Sequence, residues 1–249
     1  VSTDFDIADK LYFEPVFSVA EFQPQIQWNG RINTIAVNPD NNSEIVVASQ
    51  TGGLFKSSNG GANWVHLDGL PSFNVSEVIF YPGHIGLLFA TTWKDMKTNN
   101  GGGIWKSTDG GTSWTKCTVT FTGSCSSAFA AYAISIEPGT GKIFVATDCG
   151  VAFSDLRGEH WRHTEITGAG SFISIVALGA NKVIVGGANG VYYANDGVFD
   201  VASWRRTTTT AVGALSSMND YLAVPFLHAL SRTSHAEVLY PEQTIAFAI

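Results

Sequence analysis

The segment 92–103 holds the densest group of side chains in this sequence that suits ligand binding. An exposed indole stacks on the apolar face of a sugar ring, and nearby amide and charged groups hydrogen-bond to polar groups of a ligand. The segment therefore predicts a binding loop for a glycan or a protein surface. The alternative interpretation is that its tryptophan only packs at the end of a strand. The candidate ligand-binding residues are Trp93, Lys94, Asp95, Asn99 and Asn100.

Two aspartates offer a catalytic alternative. Asp148 follows an apolar strand in the stretch 147–150, and Asp95 lies in the candidate binding loop. Two carboxyl groups that are roughly 6.5–9.5 Å apart can serve as the acid and the base of an inverting glycoside hydrolase. The other interpretation of Asp148 is a side chain that caps a turn at the end of its strand.

The remaining reactive residues form no recognisable site in the sequence. His160 and His163 flank a tryptophan on an expected outer strand, so strand alternation turns them to opposite sides of the sheet. No group of cysteines and histidines has the spacing of a zinc site, and neither a nucleophile elbow nor a phosphate-binding loop occurs. The sequence therefore predicts no metal and no cofactor.

Cysteines and glycosylation tripeptides bear on where the protein works. Cys117 and Cys125 flank a short segment and are expected to form a disulfide, and the alternative is three reduced, buried thiols. Asn41 and Asn74 each begin an N-x-[ST] acceptor in turn-like sequence. No apolar stretch is long enough to span a bilayer. We expect an exported protein, extracellular or secreted, or periplasmic or at the cell surface in a bacterium.

Charge and composition exclude two classes of protein. The chain has 14 Lys and Arg against 21 Asp and Glu, a net charge of −7, and no basic run, which excludes a nucleic-acid partner. With 45% hydrophobic and 12% aromatic residues, it has too much apolar surface to remain disordered. Its 26 glycines among 249 residues, with only 14% charged residues, indicate a turn-rich β protein.

An internal repeat supplies the elements that position these residues. GGLFKSSNGGANW (52–64) and GGIWKSTDGGTSW (102–114) are nearly the same, and weaker copies occupy 150–161 and 190–204. Their closing tryptophans are 50, 47 and 43 residues apart, each copy follows two apolar strands around a turn, and a fifth unit opens at 212–224. Four short strands per unit predict an all-β fold, a β-propeller with about five four-stranded antiparallel blades.

The pattern S-x-D-x-G-x-x-W in these copies resembles the Asp-box, or bacterial neuraminidase repeat, of sialidases, sortilin-type receptors and xyloglucan-degrading glycosidases. The second copy matches the pattern fully and the others match it in part. The Asp or Asn is expected to hold the turn between the third and fourth strands, with Gly at a positive φ and Trp between sheets. These structural positions are Ser57, Asn59, Gly61, Trp64, Ser107, Asp109, Gly111, Trp114, Ser154, Gly158, Trp161, Asp196 and Trp204.

The same resemblance disfavours two known activities. Xyloglucan-degrading relatives place an acid in a T-D-x-G-G stretch of the first blade, where this chain has Gln50, which cannot act as a general base. Sialidases clamp a carboxylate with three arginines, and only Arg31 is suitably placed here. The leading hypothesis is therefore a non-catalytic recognition propeller for glycan or protein.

Blade topology separates two faces of such a propeller. The a–b and c–d turns lie on one face, and the b–c loops and d–a links, which include the loop 92–103 and Asp148, lie on the other. We divide the chain into an N-terminal segment, 1–30, which supplies a ring-closing or exchanged strand, and a propeller domain, 31–249. A structural subunit remains a third function, in which 1–23 or 244–249 adds a strand to a neighbour in a homo-oligomer or to another domain.

Overall fold

The fold is a β-propeller of five sheets in a computed structural model of the chain, and each sheet has four antiparallel strands. The predicted fold class and a count of about five blades are confirmed. The N-terminal segment 1–30 lies outside the described residues, so its proposed strand stays a prediction. The structure describes residues 31–93, 102–123, 125, 129–166, 170–179, 182–194, 204–208, 216–218, 221–225, 235–239 and 244–248.

Blades one and two each contain four strands in chain order, every strand antiparallel to the next. Blade one consists of β1 (Ile32–Asn38), β2 (Asn41–Ser49), β3 (Gly53–Ser57) and β4 (Val65–Leu67). Blade two consists of β5 (Val75–Phe80), β6 (Leu88–Thr92), β7 (Gly103–Ser107) and β8 (Thr115–Lys116).

Blade three contains a fifth strand that comes from the link before it. This strand is β9 (Val119–Phe121), which pairs in parallel with the outer strand and covers the edge of the sheet. Three residues of alternating polarity are too short a pattern to indicate this strand from the sequence. The antiparallel strands of blade three are β10 (Ala131–Ile136), β11 (Ile143–Thr147), β12 (Gly150–Ser154) and β13 (Trp161–Glu165).

Blades four and five repeat the four-stranded pattern. Blade four consists of β14 (Phe172–Gly179), β15 (Lys182–Gly187), β16 (Gly190–Ala194) and β17 (Arg205–Thr208). Blade five consists of β18 (Ser216–Met218), β19 (Tyr221–Pro225), β20 (His235–Leu239) and β21 (Thr244–Ala248).

The core lies between neighbouring blades. The first strands of successive blades contact one another, β1 with β5, β5 with β10, β10 with β14 and β14 with β18. One buried cluster joins Val46 and Leu54 of blade one to Val78 and Trp105 of blade two, and similar clusters join blade two to three and three to four. The second strands of blades two to four are therefore buried on both faces, which explains why β6 and β11 are apolar in succession rather than alternating.

The first strand carries a β-bulge at the same position in blades one to four. The regular pairing with the second strand breaks after the first paired residue, so one extra residue is left over in each blade. A bulge bends the strand and re-aims a side chain, and bulges are common beside functional sites. The extra residues are Asn33, Ser76, Tyr132 and Ile173.

The turn between β7 and β8 shows how the repeated motif is held. The Ser107 hydroxyl donates to the Asp109 carboxylate (2.8 Å) and accepts the backbone N–H of Gly111 (2.9 Å). Asp109 also accepts the N–H (2.9 Å) and the hydroxyl (2.5 Å) of Ser113. The Trp114 indole N–H donates to the Gly111 carbonyl (2.9 Å). The Trp114 ring packs in the core cluster between blades one and two. The Asp109 carboxylate is thus fully engaged in the turn.

The other copies keep part of this arrangement. In blade one, Asn59 accepts the Ser57 hydroxyl (2.9 Å) and the N–H of Asn63 (2.9 Å) in the same geometry. In blade three the turn is replaced by a 3₁₀ helix, Leu156–Gly158, in which Arg157 takes a positive φ of 62°. Trp161 still bonds to the Gly158 carbonyl at 3.2 Å. Asp196 of the fourth copy lies outside the described residues.

Candidate functional site

The b–c loops and d–a links of blades one to three are joined by a repeated hydrogen bond. In each blade, the residue after the second strand donates its backbone N–H to the carbonyl of the residue before the first strand, over 2.9–3.1 Å. Trp93 and Asp148 thus occupy the same position in successive repeats. The three donor–acceptor pairs are Gln50 with Arg31, Trp93 with Asn74, and Asp148 with Ala130.

Trp93 is held at the end of β6 beside an aromatic residue from the next blade. Its ring centroid lies 6.3 Å from that of Tyr132, at an interplanar angle of 56°. Both side chains are half-buried, so Trp93 packs at the strand end and also keeps part of its surface accessible. Among the described residues, no acceptor lies within hydrogen-bond distance of its indole Nε1, which is buried.

Phe73 adds a third aromatic side chain at this face. It lies in the link between blades one and two, where its carbonyl accepts the N–H of Gly53, and its side chain is 61% exposed. Trp93 follows in blade two and Tyr132 at the bulge of blade three. We refer to Phe73, Trp93 and Tyr132 as the aromatic rim. It offers apolar ring faces at the face that the blade topology predicted for ligand binding.

The rest of the predicted binding loop is not described. Lys94, Asp95, Asn99 and Asn100 lie outside the described residues, so the pairing of Asp95 with Asp148 stays a prediction. Asp148 itself is half-buried directly after β11. Its negative charge favours the protonated form of the His163 imidazole.

The structure corrects the predicted disulfide. Cys125 is bonded to Cys149, with their Cα atoms 6.1 Å apart, and Cys117 is a free thiol. The reason is that β9 carries the chain after Cys117 across to the edge of blade three, which brings Cys125 to the b–c turn of that blade. Burial raises the pKa of the Cys117 thiol to about 12, so this thiol is protonated and unreactive.

His163 lies buried beneath this disulfide, on β13. Its Nε2 is 3.0 Å from the Thr147 hydroxyl and 3.6 Å from Cys149 Sγ. Because the Thr147 hydroxyl donates to the Gly150 carbonyl (2.9 Å), it must accept a proton from Nε2. The Nδ1 atom is then a buried acceptor with no hydrogen-bond partner among the described residues. Burial lowers the pKa of His163 to about 4, against the opposing attraction of Asp148 and Glu165.

Glu77 is a second titratable group that connects two blades. It lies on β5, and its carboxylate accepts the backbone N–H of Ile134 in β10 at 2.8 Å. The side chain keeps a little accessible surface, yet burial of the carboxyl raises its pKa to about 7, and the hydrogen bond from Ile134 opposes that shift. A carboxyl with this pKa titrates near neutrality.

Sequence reasoning missed several residues of this face. Phe73 is a single aromatic in a link, and Tyr132 comes to the rim only because the bulge re-aims it. Glu77 and His163 lie in ordinary strand patterns, where burial between blades has no local signal. To predict any of these residues, one would need to know how the repeats align from blade to blade. That alignment is set by tertiary packing. Of the two glycosylation candidates, Asn41 is exposed at the start of β2, and Asn74 lies on the candidate face beside Trp93.

Comparison with known proteins identifies structures with a similar fold. No protein-family model and no curated protein matches the sequence. An ancestral GH74 enzyme superposes with a TM-score of 0.67 at 20% identity, over 89% of this chain and 31% of that one. The chain therefore spans about a third of the length of that enzyme. No helix among the described residues is long and apolar enough to cross a membrane.

Two other solved structures are similar over most of this chain. The extracellular domain of a candidate one component system from B. thetaiotaomicron gives a TM-score of 0.61 at 13% identity, over 82% of this chain and 27% of that one. The β-propeller domain of Cps50 (Swd1) from Myceliophteria thermophila gives 0.59 at 10% identity, over 87% of this chain and 72% of that one. The similar folds include an enzyme and other propellers, so the fold does not select between catalysis and binding.

Proposed function

We propose that this protein is a non-catalytic recognition propeller that binds a glycan or a protein surface through its b–c/d–a face. The aromatic rim carries the proposal. Three aromatic residues from successive links and blades lie on one face of the blade topology. Trp93 and Tyr132 are half-buried and pack against each other, and Phe73 is exposed. Rings held in this way lose little conformational freedom on binding.

Hydrogen-bonding groups complete such a surface. The loop that follows Trp93 supplies Lys94, Asp95, Asn99 and Asn100 from the sequence. Aromatic faces with a few charged and amide groups are the composition expected of a site for sugars or for a protein surface. The disulfide Cys125–Cys149 and the similarity to an extracellular domain support an exported protein.

The test is a binding measurement with a matched pair of variants. Affinity electrophoresis of the full chain against a panel of soluble polysaccharides that includes xyloglucan is run beside a glycan array and a protein pull-down. Trp93→Ala should weaken the detected interaction by roughly 10-fold or more, since truncating an aromatic residue at the centre of a binding surface costs about 2 kcal/mol or more. Ile85→Ala is the control, because Ile85 is 97% exposed in the a–b turn of the opposite face. Equal loss in both variants, or none in Trp93→Ala, would refute the proposal.

A glycoside hydrolase is the second candidate. It is favoured by the similarity to a GH74 enzyme and by the position of Asp148 on the binding face. If Asp148 and Asp95 form an inverting pair, Asp148→Asn should abolish the release of reducing sugar from xyloglucan while the melting temperature is kept. The recognition function predicts that Asp148→Asn leaves glycan or protein binding unchanged and that the unaltered chain releases no sugar.

A further inference from the structure

A group of potential metal ligands lies on blade three, apart from the aromatic rim. Cys125, Cys149 and His163 offer ligand atoms that all lie within 4.8 Å of one another. They come from three separate places in the chain: the link before blade three, its b–c turn and its fourth strand. For this reason no zinc spacing is visible in the sequence.

The His163 imidazole lies closer to the sulfur of Cys149 than a disulfide with a purely structural role requires. A tetrahedral zinc site has Zn–S bonds of about 2.3 Å and Zn–N bonds of about 2.0–2.1 Å, so its S···N edges are roughly 3.5 Å long. The distance from His163 Nε2 to Cys149 Sγ is 3.6 Å, which matches such an edge. The His163 side chain is also 1% exposed, and its Nδ1 has no hydrogen-bond partner among the described residues. A buried polar atom without a partner is destabilising, so the fold keeps this imidazole here at a cost in stability.

We propose that the reduced form of this protein binds a soft divalent metal such as Zn²⁺ through Cys125, Cys149 and His163. A dithiol breaks the disulfide by transferring two electrons and two protons, gives two thiols and is itself oxidised to a disulfide. The metal then takes both thiolates and Nε2 of His163. The two thiol protons pass to solvent, and the neutral imidazole carries its proton on Nδ1 instead of Nε2. The sulfurs separate from bonding distance to roughly 3.8 Å, the S···S edge of a tetrahedral site.

Three protein ligands leave one coordination position for water or another small ligand. The protein would thus replace one cross-link with another at the same place: a disulfide under oxidising conditions and a metal bridge under reducing conditions. Either cross-link connects the d–a link to the b–c turn of blade three. This inference does not depend on the proposed binding function.

Cobalt(II) is the probe of choice, because its thiolate complexes absorb strongly. The full chain is reduced with a phosphine, which is oxidised to the phosphine oxide, desalted under nitrogen and titrated with Co²⁺. We expect about one equivalent to produce the thiolate-to-cobalt band and the visible bands of a tetrahedral site, and Zn²⁺ to displace them. The oxidised chain should show no such band. Absence of the band in the reduced chain would overturn the proposal.

The variants separate this site from other thiols. Cys117→Ser is the matched control, since it removes the remaining cysteine and keeps all three ligands, and its titration should be unchanged. Cys149→Ser should weaken binding by at least roughly 100-fold, which is the upper range for losing only an outer partner of a ligand. If Cys149→Ser fails to fold, alkylation of the reduced unaltered chain decides the matter. Zn²⁺ should slow labelling of Cys125 and Cys149, and equal labelling rates with and without Zn²⁺ would contradict the proposal.

Discussion

At the scale of single residues, the pKa of the Glu77 carboxyl reflects how closely blades two and three pack. In the unfolded chain its pKa is near 4.5, and in the folded protein burial raises it to about 7. Below pH 4.5 the group is neutral in both states. Between pH 4.5 and 7 the folded chain keeps a proton that the unfolded chain releases, so the free energy of unfolding falls as pH rises. Above pH 7 this contribution has been lost.

We predict that Glu77→Gln removes this loss of stability. The Gln carbonyl can still accept the N–H of Ile134, and it has no charge to desolvate. At pH 8 the variant should be more stable than the unaltered chain by about 2–3 kcal/mol, since one pKa unit corresponds to about 1.4 kcal/mol. Urea unfolding at several pH values between 4 and 8 measures it. A parallel pH dependence in both proteins would show that Glu77 is not the responsible group.

Asp109 is the opposite case, a carboxylate that the fold keeps ionised. Hydrogen bonds from the Ser113 hydroxyl and backbone N–H, followed by that from Ser107, lower its pKa to about 2. We predict that Asp109→Ala lowers the melting temperature more than Asp109→Asn does. The reason is that Asn59 holds the blade-one turn with an amide oxygen in the same geometry. Equal melting temperatures for the two variants would mean that the turn does not depend on this acceptor.

Residue types in the repeat were sufficient to predict the positions of Trp93 and Asp148, because both directly follow a strand whose end the pattern marks. The disulfide was predicted wrongly for a physical reason. Proximity in sequence favoured Cys117 with Cys125, but the strand β9 carries the chain to another blade before Cys125 is reached. The chemical environment of His163 likewise arises only when blade three is assembled.

At the scale of elements, glycine at the start of the third strand has a repeated role. Gly103 and Gly150 occupy this position in blades two and three, with φ of 141° and 152°. A Cβ at Gly150 would lie 2.1 Å from the backbone carbonyl oxygen of Thr164 on β13. A Cβ at Gly103 would instead meet the flexible end of the Lys116 side chain at 2.9 Å. The same substitution thus meets a rigid neighbour in one blade and a movable one in the other.

We predict that Gly150→Ala destabilises the protein by roughly 2 kcal/mol or more, because it must separate β12 from β13. Gly103→Ala should cost less, since it meets a similar backbone strain but no rigid clash. Thermal unfolding of the two variants side by side measures the difference. Equal losses would indicate that the positive φ, rather than the pairing with β13, is what requires glycine.

The pattern of two apolar strands, turn and motif was enough to predict the strands of the first four blades. It could not show β9, whose parallel pairing joins residues about 40 positions apart, nor the bulges, which depend on how β2 or β11 pairs with its neighbour. Those bulges, in turn, bring Tyr132 to the aromatic rim. Local sequence therefore set the elements, and contacts between blades set the details of the candidate site.

At the scale of the whole molecule, each blade buries one flank against the blade before it. Ile35, Val78, Ile134 and Ile175 occupy the same repeat position in β1, β5, β10 and β14. Their exposed fractions are 65%, 1%, 5% and 6%. Trp64 follows the same rule, because it is half-buried while the equivalent Trp114, Trp161 and Trp204 are buried. In the described part of the chain, the first flank of blade one is thus the least covered.

The repeat provides an internal control for this difference. We predict that Ile134→Ala costs about 2–5 kcal/mol of unfolding free energy, since it leaves a cavity between blades two and three. Ile35→Ala should cost no more than about 0.5 kcal/mol, because most of this side chain is exposed in the described part of the chain. Urea unfolding of both variants measures this. If Ile35→Ala costs as much as Ile134→Ala, then another part of the chain or a second copy covers blade one in solution. Repeating the Ile35→Ala measurement without residues 1–23 would then show whether the N-terminal segment supplies that cover.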